Sequence, residues 1–233
     1  MKSRIGDLNL ATAEFRRRKP RPLLSWLSFG AVVGLVGIIG FKFPETALAD
    51  VADPGLTITV QVDNYSQASP AVLAAAEHEA GRILGEAGLR AVWLECSMVP
   101  SAAEPQGPCQ KAPEATEIRL RILPAPIQNK FQDTVFGFTV HPVLASVYYA
   151  SAVRLAKSDD AEFEAPIILG CVIAHEIGHL LLGPNSHSVA GIMQRQWERK
   201  QVDQAMTGTL LFMPEQSKLM RAQAQTRIGL QKP

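Results

Sequence analysis

Two histidines and a glutamate occur close together at His175, Glu176 and His179, in a stretch with no other charged side chain. Residues four apart lie on one face of a helix, so both imidazoles can point at one metal ion. Glu176 is rotated by about 100° from His175, so its carboxylate can take a proton from a zinc-bound water without displacing a ligand. A carboxylate in apolar surroundings costs several kcal/mol, roughly, unless something compensates it. The spacing therefore predicts a metal site for water activation.

The helix that carries this motif has clear boundaries in the sequence. Pro166 suits the first turn of a helix, and Gly183 followed by Pro184 is a strong stop signal. The residues between them are apolar on every side, which is typical of a helix buried inside a domain. The alternative, in which the histidines are only core side chains, leaves Glu176 without compensation.

A third histidine and a methionine follow this helix. Gly183 is followed by Pro-Asn-Ser-His187, and Met193 comes six residues after that histidine. This order resembles the metzincin clan of zinc metallopeptidases, whose motif H-E-x-x-H-x-x-G-x-x-H is followed by a methionine-containing turn, the Met-turn. The resemblance implies one catalytic Zn²⁺ with three histidine ligands, a general base, a helix-ending glycine and the Met-turn, and it assigns these roles to His175, His179 and His187, to Glu176, to Gly183 and to Met193.

The spacing departs from the clan pattern. The glycine falls eight residues after His175 where the pattern has seven, and His187 falls twelve after it where the pattern has ten. An alternative third ligand is a glutamate on a following helix, as in thermolysin-like zincins. Glu198 lies at a workable separation for that role.

Hydrophobic periodicity and turn signals predict one sheet and two long helices. The predicted strands cover 56–62, 90–95, 116–123, 135–140 and 145–149, and the predicted helices cover about 17 residues from Ser69-Pro70 to Gly88, then 166–182, 194–201 and 214–225. The fold class is therefore α/β (α+β), with a mixed, twisted sheet packed by the two long helices, and the resemblance implies that it is zincin-like. The resemblance implies a metzincin-like catalytic domain over 50–233, with a small helical C-terminal part at about 194–227.

A substrate-binding edge strand is also implied by the resemblance, because metzincins bind an extended peptide along such a strand. Val147, Tyr148 and Tyr149 are the candidates, and a phenolic hydroxyl there could support an oxyanion. The alternative is that they are ordinary strand residues. His141, before Pro142, is interpreted as a turn residue.

The N-terminal 49 residues have the parts of an export segment. Residues 16–21 are strongly basic, 22–41 carry no charge, and Ala47-Leu48-Ala49 is a small-x-small sequence. This pattern predicts either a cleaved signal peptide or a retained membrane anchor, since about 20 apolar residues can span a bilayer. Both alternatives place the chain after Asp50 outside the cytoplasm, secreted or periplasmic.

Charge and cysteine content indicate which partners and which compartment the chain can have. Residues 1–49 carry eight basic and three acidic side chains, so the remainder holds 23−8 = 15 basic and 22−3 = 19 acidic ones. A net charge of −4 there argues against nucleic acid as a partner. Outside the cytoplasm a disulfide between Cys96 and Cys109 is expected, and Cys171 is expected to be a buried thiol.

Together these observations predict an exported zinc-dependent endopeptidase that hydrolyses peptide bonds in a peptide or protein substrate. Two alternatives stay open. One is a zinc-binding extracytoplasmic module without activity, and the other is a hydrolase of a non-peptide amide. A membrane would be involved only through an uncleaved N-terminal segment.

Overall fold

The computed structural model describes residues 56–96, 108–126, 136–156 and 161–230. The predicted export segment lies outside the described residues, as does most of the loop between Cys96 and Cys109. The elements, in chain order, are β1 (Thr57–Asn64), α1 (Pro70–Glu86), β2 (Arg90–Glu95), β3 (Glu117–Leu123), β4 (Gly137–Val140), β5 (Leu144–Tyr148), α2 (Tyr149–Leu155), α3 (Ala161–Leu182), α4 (Arg199–Met206) and α5 (Pro214–Leu230).

The five strands form one mixed sheet in the order β2-β1-β3-β5-β4. The first four of these are mutually parallel, and β4 pairs antiparallel with β5. Alternate side chains of the central strands are buried in one core with α1 and α3, as period-two patterning requires; they are Ile58, Val60, Val62, Ile118, Leu120, Ile122, Ala145 and Val147. The prediction of a mixed α/β architecture is thus confirmed.

Helix α1 begins as its sequence signals indicate. The Ser69 side chain accepts a hydrogen bond from the Val72 N–H, Pro70 occupies the first turn, and the helix is followed by Gly88 with a φ of 81°. These local signals therefore fixed both ends of α1 closely.

Helix α3 is the central helix of the fold. It begins at Ala161, five residues before Pro166, so the proline lies inside the helix and removes one backbone hydrogen bond near its start. Among the described helices, the one stretch that is long and apolar enough to cross a membrane is Glu164–Leu182. It is 89% buried inside the domain. That burial is typical of a core helix.

Other boundaries differ from the sequence-based predictions. Residues Tyr149–Leu155 form α2, a helix that was not predicted, and the helix predicted over 194–201 is wrong, because α4 covers Arg199–Met206. The segment before α4 instead carries the buried Trp197 into the core. Helix α5 runs to Leu230, five residues beyond its predicted end.

A disulfide joins Cys96 at the end of β2 to Cys109, as predicted. The Arg119 guanidinium on β3 donates to the Cys109 carbonyl oxygen at 2.6 Å and to an Asp63 carboxylate oxygen at 3.3 Å. Cys171 is a free, fully buried thiol whose pKa is raised by burial. The disulfide and Arg119 together tie the segment around Cys109 to the sheet.

Glu77 on α1 makes folding stability depend on pH. Burial, and then the neighbouring Glu95 carboxylate, raise the pKa of Glu77 from 4.5 to about 7. A carboxyl whose pKa is raised by folding favours the folded state below pH 4.5, and that contribution is lost as the pH rises through about 7. Glu77→Gln should therefore stabilise the protein at pH 8 and not at pH 4. Because the side chain is half-exposed, we expect the gain to be about 1 to 2 kcal/mol.

Urea unfolding of both proteins at the two pH values measures this difference. Glu86→Gln, at the exposed end of the same helix, serves as the control for loss of one negative charge. An equal stability difference between wild type and Glu77→Gln at pH 4 and pH 8 would contradict the prediction.

Candidate metal centre

The two motif histidines lie side by side on α3. His175 and Glu176 are each only 4% exposed, and His179 is half-buried one turn further along. The Nε2 atoms of His175 and His179 are 3.1 Å apart, so the two imidazoles point at the same place. The four-residue spacing therefore produces the convergence that it predicts.

The other ring nitrogen of each histidine is held by the loop that follows α3. His175 Nδ1 lies 2.8 Å from the Ile192 carbonyl oxygen, which can only accept, so Nδ1 carries the proton and Nε2 keeps its lone pair. His179 Nδ1 lies 2.9 Å from the Ser186 hydroxyl. Such outer contacts orient histidine ligands toward a metal ion.

The chain returns His187 to this place by a sharp reversal. Helix α3 ends at Leu182, and both Gly183 (φ 93°) and Asn185 (φ 61°) adopt the left-handed conformation, which glycine and asparagine tolerate best. The His187 ring centroid then lies 4.6 Å from that of His179 and 5.5 Å from that of His175. One ligand atom from each of the three histidines lies within 4.8 Å of the others.

The three imidazoles fit a zinc ion. Zn–N distances of about 2.0–2.1 Å place two tetrahedral ligands about 3.3 Å apart, close to the 3.1 Å between the Nε2 atoms of His175 and His179. Three nitrogens with a free fourth position are also the donor set of catalytic zinc. The described residues therefore contain a three-histidine group that can hold a metal ion.

Burial keeps these imidazoles neutral, as metal ligands must be. It lowers the pKa of His175 to about 3, and it lowers that of His179 to about 4 with help from the charges of His187 and His141. The pKa of His187 is also lowered, first by burial and then by Arg195. All three lone pairs are thus available at neutral pH.

Glu176 lies beside this group, against the sheet. Burial raises the pKa of its carboxyl to about 8 in the absence of a cation. A Cβ atom built on Gly137, the first residue of β4, would lie 2.9 Å from Glu176 Oε1. The carboxylate therefore packs against the backbone at the start of the edge strand.

Met193 packs underneath the histidines. Its side chain is fully buried, and a Cβ built on Gly178, between the two motif histidines, would lie 2.7 Å from Met193 Sδ. The same Cβ would lie 2.7 Å from the Phe212 ring. Gly178 thus gives the sulfur and the phenyl ring room to support α3 below the candidate metal position.

Glu198, the alternative third ligand, is not part of the three-histidine group. It is the N-cap residue of α4, where its backbone N–H donates to Gln201 Oε1 at 2.9 Å.

Trp197, the neighbour of Glu198, was not predicted to have a role. The centroid of the Trp197 ring lies 5.8 Å from that of His175, with the two rings edge-on, and 5.1 Å from that of Phe136. The sequence feature that could have indicated this position is a single tryptophan in an otherwise polar segment.

The structure corrects the predicted edge strand. Val147 and Tyr148 belong to β5, which is paired on one side with β3 and on the other with β4, and Tyr149 begins α2. Among the described strands, β4 is the edge of the sheet next to β5. Tyr148 nevertheless lies within electrostatic reach of Glu176, because burial and that carboxylate both raise the pKa of Tyr148.

His141 occupies the turn between β4 and β5, as interpreted from the sequence. Its charge contributes to lowering the pKa of His179. The start of β4 is therefore beside the metal group, since Gly137 lies against Glu176.

Comparisons with known proteins found one kind of similarity. No protein-family model and no curated protein sequence matches the chain. Among solved structures, the chain is similar to archaemetzincin from Methanopyrus kandleri, at 14% sequence identity and a TM-score of 0.47, over 74% of this chain and 98% of that one. At this identity the site assignment rests on the residues of the chain itself.

Proposed function

We propose that this protein is an exported, zinc-dependent endopeptidase of the metzincin type. The observation that supports it most strongly is the convergence of three neutral imidazoles, with a buried glutamate beside them that packs against β4. In this proposal His187 is the third ligand, Gly183 is the helix-ending glycine and Met193 forms the Met-turn.

The chemistry divides between the ion and the side chains. Zinc, when bound by the three histidines, supplies a Lewis acid that polarises a carbonyl and lowers the pKa of water toward about 7. Glu176 accepts the proton from the attacking water and returns it to the leaving amine. Burial alone raises the pKa of this carboxyl, and a dication held by the three histidines would lower it again, so Glu176 would be ionised and able to accept the proton.

Strand β4 supports a peptide as the substrate. It pairs only with β5 among the described strands, so the backbone of Gly137–Val140 offers its other side to an extended chain. A peptide paired along this edge would run past Glu176 at the start of β4. This is the placement that hydrolysis of an internal peptide bond needs.

Export rests on the N-terminal segment and on the disulfide. The basic lead, the uncharged stretch 22–41 and the Ala47-Leu48-Ala49 exit are the sequence basis. The Cys96–Cys109 disulfide is weakly consistent with an oxidising compartment. In this proposal the catalytic domain works outside the cytoplasm, released or anchored.

Cleavage of a peptide library by the full chain, with and without chelator, tests the proposal. The expected result is cleavage within peptides that stops when the metal is removed and returns with added zinc. A protein that binds one zinc per chain and cleaves neither peptides nor small amides would instead be a zinc-binding module. Hydrolysis of small amides alone would identify an amide hydrolase.

A further inference from the structure

We propose that Gly137 is the positioning residue for the general base, so that the missing side chain on β4 determines where the Glu176 carboxylate lies. This inference rests on the proposed function for its catalytic meaning. Its structural part is a contact between two residues of this chain, and this contact can be tested without measuring peptidase activity.

The contact is close and involves the reacting group itself. A Cβ on Gly137 would lie 2.9 Å from both Cδ and Oε1 of Glu176, a separation that real Cβ atoms essentially never show. The same Cβ would lie even closer to the Ser146 carbonyl oxygen on β5. Any other residue at this position must therefore displace the β5 backbone at Ser146, and it must displace the Glu176 carboxylate as well.

Among the described residues, packing alone holds the Glu176 carboxylate in place. None of them makes a hydrogen bond with the Glu176 side chain, and its pKa is raised by burial alone. The other buried member of the motif, His175, is by contrast fixed by a hydrogen bond to the Ile192 carbonyl. The bare Cα of Gly137 is therefore one wall of the space in which the carboxylate lies.

A glycine in a strand is costly unless the position needs it. Glycine weakens a strand because it loses more backbone entropy on folding and packs no side chain, and it often marks a close approach of other groups. Strand β4 has only four residues, and Gly137 pairs with Val147 at its beginning. The space at Gly137 is thus filled by the Ser146 carbonyl oxygen of β5 and by the Glu176 carboxylate.

Gly137→Ala is the direct test. We expect one zinc ion per chain as in wild type, and a kcat for peptide cleavage at least about 100-fold lower with little change in KM, because a shift of about 1 Å in a catalytic group has such an effect. Gly85→Ala is the matched control, since Gly85 is exposed on α1 and its added Cβ would meet nothing within 4 Å. An unchanged kcat in Gly137→Ala would overturn the inference.

A thermal-stability cycle in metal-free protein separates the carboxylate contact from the contact with Ser146. Gly137→Ala is introduced into wild type and into Glu176→Ala, which removes the carboxylate. If the carboxylate fills part of this space, Gly137→Ala lowers the Tm by less in the second background than in wild type. An equal loss in both backgrounds would overturn the inference, because the strand contact alone would then explain the glycine.

The cycle remains decisive if Gly137→Ala does not fold alone. Recovery of a cooperative unfolding transition in the Gly137→Ala/Glu176→Ala protein supports the inference, and failure to fold in both backgrounds overturns it. A wild type that cleaves no substrate would count against the proposed function, while the cycle would still decide whether Gly137 positions Glu176.

Discussion

Replacing Glu176 with glutamine is expected to lower the kcat for peptide cleavage by roughly 10³-fold while zinc stoichiometry stays at one per chain. General acid–base catalysis contributes typically about 10² to 10⁴ in rate. Glutamine keeps the shape of the side chain but cannot accept the proton. Steady-state kinetics and metal analysis of the same preparations measure both quantities.

The control for this prediction is Glu164→Gln. Glu164 lies on the same helix, about three turns before Glu176, so the change removes an acid from α3 without touching the metal group. It should leave kcat within about twofold of wild type, as expected of a change away from the site. Equal activity of Glu176→Gln and wild type would remove Glu176 from the mechanism.

Replacing His187 with alanine is expected to abolish stoichiometric zinc binding, and activity with it. His175 and His179 would remain, and two imidazoles leave the ion without the third protein ligand that catalytic zinc sites contain. His187 is largely exposed and lies on the loop after α3, so its removal should leave the core intact. The stabilisation that zinc provides should disappear as well, a loss of about 4 kcal/mol where free zinc exceeds the dissociation constant 1,000-fold.

Glu198→Ala is the matched comparison. Because Glu198 caps α4 and stands outside the three-histidine group, the change should spare zinc binding and lower the Tm only slightly. Zinc analysis and thermal unfolding with and without chelator measure both variants. Loss of zinc in Glu198→Ala together with retention in His187→Ala would place the third ligand on α4.

Local signals in the sequence were enough for the elements that build the site. The end of α3 could be predicted from its apolar residues and its Gly183-Pro184 stop, although its start at Ala161 was missed. The four-residue spacing fixes where His175 and His179 point. The strands β1, β2 and β3 followed from alternation and β-branched content in the same way.

Relations between distant segments could not be predicted in this way. Which strand is at the edge depends on the pairing order, and β5 lies between β3 and β4 although it follows β4 in sequence. The start of α4 was missed because the segment from Gln194 to Glu198 is almost entirely polar and shows no period. Trp197 reaches His175 only through the path of that loop.

The contact between Gly137 and Glu176 could not be predicted for the same reason. The two residues are far apart in the chain, and a glycine in a short predicted strand does not indicate what fills the space left by its missing side chain. Helix α2 was missed because its seven residues are too few to show a helical period.

X-ray absorption at the zinc edge on purified, zinc-replete full-length protein tests the central claim most directly. The account predicts one zinc ion per chain with three imidazole nitrogens at about 2.0–2.1 Å and one further oxygen ligand. A preparation that takes up no zinc, or one whose zinc is bound without imidazole, would contradict it.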